Sequence, residues 1–331
     1  MPPKHYVIPF TAKPPVIDGD IDEDVWKDAP WTDEFRDIEG TAKNNPIPYF
    51  KTRAKMLWDK NYLYIAGNLE EKHIWAYVMN RDEVIFQDND FEVFIDPRGH
   101  SHNYFEFEMN ARNVMWDLFL IKPYRDPHMT YYTSWDSTGL KHAVKLFGTL
   151  NDPKDEDERW TVEIAIPFRD LSENPKANDI WRLGFSRVEW QTEIKDGKYV
   201  RKNDANGRRI PEYNWVWNPT GEIAMHCPER WGYILFSPAQ ANEKQPEFKL
   251  PDEERLKAQL WYLYYKQRQY RGKNGAYAKT LQELDLSPVR QSGSEKCTLT
   301  LEAATHQFRA TATGFGKTAV IEHDGFIYIA R

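Results

Sequence analysis

Acidic side chains on predicted β-strands are the residues whose types and spacing point most directly to chemistry. Glu92 lies in an otherwise apolar strand, and Glu106 and Glu108 share one face of another strand because side chains alternate with a period of two. Glycoside hydrolysis needs two carboxylates on either side of a cleft, roughly 5–10 Å apart. Paired acids on one sheet face more often bind hydroxyls or ions, so the sequence favours binding over catalysis. An enzyme that processes sugar with Glu92 and Glu108 is the alternative.

A second acidic group lies near the N-terminus, where Asp18, Asp20 and Asp22 recur at every second position. Calcium takes hard oxygen ligands of this kind, so these residues are candidate ligands for a structural calcium ion. The alternative, which we favour, is a solvated turn whose acids cap a short helix at Trp26. The acidic run at 152–158 has the same two interpretations. The sequence indicates no other cofactor.

Aromatic side chains make up 15% of the chain and include 13 tryptophans. Trp190 ends a predicted strand, whereas Trp215 and Trp217 lie outside the predicted strands and share a face. They are candidates for a platform under a flat ligand, with core packing as the alternative. Arg187 is a candidate for a two-pronged hydrogen bond to a ligand, or for an ion pair with Glu189 on the same face.

The composition narrows the class of protein. The 331 residues carry a net charge of −7, which argues against a general nucleic-acid binder. No apolar run approaches the ~20 residues of a membrane-spanning helix, and residues 1–10 lack the apolar core of a signal peptide. Cys227 and Cys297 fall in different predicted domains, so we expect no disulfide framework. The compartment and the oligomeric state stay open.

Short alternating segments separated by turn residues predict a mainly β fold for the first two thirds of the chain. Several short strands with regular turns favour a two-sheet antiparallel β-sandwich. The predicted strands are residues 51–58, 62–69, 91–96, 104–110, 114–121, 140–149, 160–167, 181–190 and 232–237.

The last third of the chain has a different character. Residues 239–252 are rich in Pro, Glu, Gln and Lys without periodicity, which predicts a linker. Residues 253–271 then carry apolar side chains at helical spacing, and short alternating segments follow. We therefore expect a sandwich at 1–238, the linker, and a small α+β domain at 253–331 with one helix and an antiparallel sheet.

Five segments of the first two thirds form a recognisable series: Pro15–Trp26, Ala54–Ala66, Asp90–Asp96, Trp160–Phe168 and Glu229–Tyr233. Their order and spacing resemble the family 9 carbohydrate-binding modules, within the wider DOMON-like sandwiches. The resemblance implies a sandwich that binds a carbohydrate, often a chain end, between aromatic walls over a polar base. It also implies export, structural calcium in some members, and association with polysaccharide-degrading enzymes.

The resemblance also assigns pocket positions. Phe86 and Met225 fall where the family has a pair of pocket tryptophans, Glu92 and Asn110 match a pocket acid and a pocket amide, and Glu108 replaces a pocket arginine. Because neither aromatic position is Trp, the pocket has been rebuilt or sugar binding has been lost. The candidates for rebuilt walls are Trp116, Trp190, Trp215 and Trp217.

Residues 256–284 resemble the segment that follows the long helix in type IV pilins and pseudopilins. Those proteins pack a small sheet on such a helix, so the resemblance implies the fold of the C-terminal domain and adds an assembly or scaffold module to the alternatives. A non-catalytic carbohydrate-binding protein, working in polysaccharide or oligosaccharide utilisation, is the leading prediction.

Overall fold

A computed structural model describes residues 3–40, 45–126 and 130–330. These residues form two compact units. The first unit contains the described residues up to 97, with 104–121 and 130–248, and the second contains 98–103, 122–126 and 249–330. Strands dominate both units, and the mainly β fold class predicted from the sequence is confirmed.

The first unit is almost entirely β-strand. Its described elements are β1 (His5–Phe10), α1 (Asp24–Lys27), β2 (Arg36–Asp37), β3 (Thr52–Trp58), β4 (Tyr62–Glu70), β5 (Asp90–Asp96), β6 (Tyr104–Asn110), β7 (Met115–Leu120), β8 (Tyr131–Tyr132), β9 (Lys141–Phe147), β10 (Arg159–Pro167), β11 (Ile180–Glu189), β12 (Thr192–Lys195), β13 (Lys198–Arg201), β14 (Tyr213–Val216) and β15 (Gly232–Gln240).

Most strands of the first unit form one continuous hydrogen-bonded series, which folds into a front sheet and a back sheet. The front sheet has the order β8-β7-β6-β5-β11-β15, with β14 and then β2 added beside β11. The back sheet has the order β1-β3-β4-β10-β9, and β1 joins it to the front sheet by pairing in parallel with β15. The predicted hairpins β3–β4, β6–β7 and β9–β10 are all antiparallel pairs.

The main core lies between these two sheets. Phe91, Val93 and Ile95 alternate along β5 into this core, where they pack with Ile65 and Val162 from the back sheet. Burial of each such side chain contributes about 1.5–3 kcal/mol relative to exposure. This alternation fixes the register of β5, since a shift by one residue would turn the core side chains outward.

The outer face of the front sheet is covered as well. Phe94 on β5, Tyr104 on β6 and Trp116 on β7 belong to a second apolar cluster, to which Met225 and Trp231 contribute from the chain before β15. Both faces of β5 and β6 are therefore buried along their whole length. Any polar side chain on the outer face of these strands lies under apolar cover.

A separate hairpin, β12–β13, turns at Asp196 and Gly197. Both residues have positive φ, 52° and 72°, which is the geometry of the tight turn that Asp-Gly favours. Tyr199 of β13 is buried against Trp75 and Trp190. The hairpin therefore forms a wall beside the segment that leads from β4 to β5.

The second unit packs one helix on a five-stranded sheet. Its elements are α2 (Asp252–Asn274), β16 (Val289–Ser292), β17 (Glu295–Ala303), β18 (Phe308–Gly314), β19 (Lys317–Glu322) and β20 (Ile327–Ile329). Acidic residues in the first turn and basic residues in the last turn of α2 match the helix dipole, and Gly275, with φ 74°, ends the helix. Among the described residues, no helix is long and apolar enough to span a membrane.

Candidate functional site

Four carboxyl groups lie together on the outer side of the front sheet, and we call them the acidic face: Asp90, Glu92, Glu106 and Glu108. Alternation along β5 and β6 places them there, opposite the apolar side chains that enter the core. Glu92 and Glu108 are direct cross-strand partners. Oxygens of Asp90, Glu92 and Glu108 lie within 4.8 Å of one another, and none of the four residues is more than 5% exposed.

Burial is the main influence on the charge of the acidic face. It raises the pKa of all four carboxyl groups, that of Glu92 to about 7, and neighbouring acids add to the shift. Nε2 of His226 lies 3.9 Å from Oε1 of Glu106. Within the described chain, one oxygen each of Asp90 and Glu106 has no hydrogen-bond partner. The neutral, protonated forms are therefore favoured here.

The acidic face does not have the geometry of a glycosidase pair. Glu92 and Glu108 lie side by side on neighbouring strands and point to the same side of one sheet. Hydrolysis requires acids that flank the glycosidic bond from opposite sides. The arrangement of this pair suits the binding of a polar ligand or a proton rather than bond cleavage.

Asn110 uses all the hydrogen-bonding capacity of its amide within the protein. Its nitrogen donates to the oxygen of Val78 at 3.1 Å and to Oδ2 of Asp88 at 3.0 Å. Its oxygen accepts from the backbone N–H groups of Arg112 and Val114 at 3.0 and 3.1 Å. The predicted pocket amide therefore holds the β6–β7 turn and the segment before β5 in place.

The predicted wall residues of the sugar site lie on the same side of the front sheet as the acidic face. The N–H of Phe86 donates to Oε2 of Glu108 at 3.2 Å, and Nε1 of Trp190 donates to the oxygen of Phe86 at 2.8 Å. Met225 is 8% exposed, and its methyl group fills the space above Gly184, where an added Cβ would lie 2.7 Å away. The structure therefore brings Phe86, Trp190 and Met225 to the same side of the front sheet as Glu92 and Asn110.

Three predicted site residues point instead into the core between the sheets. Arg187 is fully buried and donates to carboxylate oxygens of Glu71 and Glu189 at 2.8 and 2.7 Å. Trp215 and Trp217 belong to the main core and are 1% and 2% exposed. The sequence left two interpretations open for each of these residues. The structure has an ion pair at Arg187 and core packing at Trp215 and Trp217.

An open groove of about 650 Å³ runs between the β12–β13 hairpin and the segment that leads to β5. Tyr77, 41% exposed, offers a ring there, beside Trp75 with ring centres 5.6 Å apart. The groove also takes in Gln87 and Asp88, directly after Phe86. Sequence reasoning missed this groove, although Asp-Gly at 196–197 is a strong hairpin signal.

A second cavity, the pocket, has a volume of about 340 Å³ and shares Trp75 with the groove. Its other aromatic lining residues are Tyr49, Phe50, Trp190 and Tyr213. Its acids are Glu71 and Glu189, to which Nδ2 of Asn89 donates at 3.0 and 3.1 Å. Burial raises the pKa of Glu189, and Glu71 adds to that shift.

Asp18, Asp20 and Asp22 form a turn of local hydrogen bonds. The N–H of Asp20 donates to Asp18 Oδ1, the N–H of Asp22 donates to Asp20 Oδ1, and Lys145 pairs with Asp20 at 2.6 Å. The hydrogen bond from Lys145 lowers the pKa of Asp20. Among the described residues, oxygens of three acids lie within 4.8 Å of one another only at Asp82, Asp117 and Asp136 and on the acidic face. A calcium ion at Asp18–Asp22 stays a prediction.

Comparison with known proteins gives related sequences and one related fold. Endo-1,4-beta-xylanase A of Thermotoga maritima is 26% identical over 228 residues, covering 66% of this chain and 17% of that protein. Exoglucanase XynX of Acetivibrio thermocellus is 24% identical over 209 residues, covering 62% and 15%. The chain thus spans less than a fifth of these curated relatives. A solved structure of a Bacteroides uniformis protein shares the fold, with a TM-score of 0.51, 13% identity, and coverage of 71% of this chain and 100% of that one.

The family comparison covers nearly the whole sandwich. Residues 17–232 match the family described as carbohydrate family 9 binding domain-like. That span runs from the turn before α1 to the first residue of β15, and it includes the acidic face, the groove and the pocket. Because the match extends over more than half of the chain, this protein belongs to the carbohydrate family 9 binding domain-like family.

Proposed function

We propose that this protein is a non-catalytic carbohydrate-binding protein of polysaccharide or oligosaccharide utilisation, and that it holds its sugar in the groove. The observation that carries this proposal is the exposed ring of Tyr77 over an open cavity that also contains fixed polar groups. Sugar rings place their apolar C–H faces on aromatic rings, while their hydroxyls need positioned donors and acceptors. Gln87 and Asp88 supply such groups along the groove.

The groove lies next to the positions that the family resemblance assigns to the sugar site of the family. Gln87 directly follows Phe86 in sequence, and Asp88 accepts a hydrogen bond from Asn110. Met225 and the neighbouring apolar cluster cover the acidic face, which leaves Glu92 and Glu108 at most 5% exposed. This supports a binding site displaced from the acidic face toward the β12–β13 hairpin, with the pocket at 340 Å³ as its extension.

Calorimetry with a panel of mono-, oligo- and polysaccharides tests the proposal. We expect heat of binding with at least one glycan and a loss of about fivefold in affinity for Tyr77→Ala, since a stacked ring contributes about 1 kcal/mol. Tyr131→Ala is the matched control, because Tyr131 is 40% exposed on β8 and does not line the groove or the pocket. Absence of heat with every glycan would exclude the function.

Glu92→Gln locates the site within the domain. If sugar occupies the groove, this substitution leaves the affinity nearly unchanged. If sugar instead occupies the position that the family resemblance assigns, Glu92→Gln weakens binding more than Tyr77→Ala does. The second result would return the site to Phe86, Glu92, Glu108, Asn110 and Met225.

The remaining expectations from the resemblances are also proposals. The family resemblance supports export and a partnership with polysaccharide-degrading enzymes. The helix on a five-stranded sheet in the second unit supports the pilin-like resemblance and, through it, a role in assembly. Gel filtration of the chain with and without residues 249–331 tests that role, since loss of self-association on truncation is the expected result for an assembly module.

A further inference from the structure

Three cations border the groove: Lys198, Arg201 and Arg209. None of them makes an ion pair within the described chain. Two other basic residues of the same stretch are paired, Lys195 with Glu193 at 2.7 Å and Arg208 with Asp204 at 3.4 Å. In a chain whose net charge is −7, three of the four described basic residues without an ion pair at 195–209 line the groove, and the fourth, Lys202, lines the pocket.

Arg201 is held in position for a ligand. Its guanidinium lies over the ring of Trp190, 4.7 Å from the ring centre, and its Nη1 donates to Oε1 of Gln87 at 2.6 Å. Burial lowers the pKa of Arg201, and the neighbouring charge of Arg209 lowers it further. The two guanidinium groups therefore repel each other, and an anion placed between them would relieve that repulsion.

Two acids also line the groove, Asp88 and Glu83, and the charge of Asp88 acts to raise the pKa of Arg201. Asp88 Oδ2 already accepts the N–H groups of Tyr77 and Val78 at 2.9 and 2.8 Å, besides the amide of Asn110. Glu83 is exposed and accepts hydrogen bonds from Asn80. Hydrogen bonds do not remove the charge of a carboxylate, so the count of three cations against two carboxylates leaves the groove with one positive charge in excess.

We propose that the groove binds an anionic glycan, a chain that carries uronic acid residues. This inference rests on the proposed carbohydrate-binding function and adds the class of sugar. Tyr77 supplies the surface for the sugar ring, and Arg201 and Arg209 supply planar donors that match a carboxylate. A volume of about 650 Å³ is within the range of ligand sites, about 300–1,000 Å³.

The experiment compares acidic and neutral oligosaccharides by calorimetry on the full chain. The ligands are trimers of galacturonate, glucuronate and mannuronate, their methyl esters, and neutral trimers of glucose and xylose. We expect an acidic trimer to bind at least about tenfold more tightly than its methyl ester, with an affinity that falls as salt is raised, because screening weakens charge pairing.

Two exposed positions test the role of the groove. Arg209→Glu and Lys198→Glu each change an exposed side chain of the groove and should each lower the affinity for the acidic trimer about tenfold or more. Arg208→Glu is the matched control, because its side chain is 77% exposed and it does not line the groove. Unchanged melting temperatures show that the variants are folded.

The possible results separate the two proposals. Binding of neutral trimers as tightly as acidic ones overturns the anionic preference and leaves the carbohydrate-binding function standing. Acidic binding that survives both groove substitutions overturns the assignment to the groove. No binding of any saccharide overturns the carbohydrate-binding function and this inference with it.

Discussion

Glu92 and Glu108 face each other across the antiparallel strands β5 and β6, with carboxylate oxygens within 4.8 Å. Two ionised carboxylates at this distance repel each other, and burial under the outer apolar cluster makes either charge more costly. The pair on the outer face of the front sheet therefore binds protons more tightly than free carboxyl groups do. Its measurable consequence is the dependence of stability on pH.

We expect the protein to lose stability as the pH rises from about 4.5 to about 7. Burial raises the pKa of Glu92 from 4.5 to about 7, so in this interval the folded state binds more protons than the unfolded state, and the free energy of unfolding falls with pH. Glu163, whose pKa burial also raises to about 7, acts in the same direction. Urea unfolding at about pH 5 and pH 8 measures the difference.

Glu92→Gln removes one of these buried acids without changing its shape. We expect the variant to be more stable than the parent at pH 8 and to show a weaker pH dependence, with a gain on the order of 1 kcal/mol or more, since each pKa unit corresponds to about 1.4 kcal/mol. Glu156→Gln is the control, because Glu156 is exposed and paired with Lys72. A loss of stability at pH 8 for Glu92→Gln would contradict the assignment.

The sequence predicted the elements that local pattern determines. The alternation of Glu92 with Phe94 against a core of Phe91, Val93 and Ile95 is visible in the chain itself, and the structure has it. Of the two partners of Arg187, Glu189 was named from the sequence, but Glu71 was not, because it is 116 positions away and meets Arg187 only when the sheets pack. Pattern gives the face of a strand, while its long-range partners depend on packing.

The groove was missed for a related reason. The β12–β13 hairpin is rich in charge, so its strands lack the apolar alternation on which the other assignments rested. Its wall forms only because Tyr199 packs on Trp75 and Trp190, which come from distant parts of the chain. Trp215 and Trp217 were candidates for a ligand platform, but both lie in the main core once β14 pairs with β11.

Removal of calcium should leave the melting temperature unchanged to within about 1 °C. Asp20 is already paired with Lys145, and Asp18 and Asp20 accept backbone N–H groups of their own turn. A ligand bound only by the folded state would stabilise that state. Thermal unfolding in EDTA and in excess calcium is the measurement, and a drop of several degrees in EDTA would establish a structural ion.

Limited proteolysis tests the predicted domain boundary. We expect the first cuts within residues 239–252, because the segment from 241 to 251 has no strand or helix and much of its backbone is exposed. The resulting fragments should have masses that correspond to the sandwich and to the α+β domain. Early cleavage inside the strands β4 or β5 would show that the boundary is wrong.

Arg187→Met should be the most damaging single substitution of those considered. It leaves Glu71 and Glu189 buried without their cation, and removal of one partner from a buried pair costs about 3–5 kcal/mol. Lys195→Met is the matched control, since its pair with Glu193 is exposed and such pairs contribute about 0–1 kcal/mol. Urea unfolding at neutral pH measures both variants. A loss below about 1 kcal/mol for Arg187→Met, combined with weakened glycan binding, would mean that Arg187 serves the ligand rather than the core.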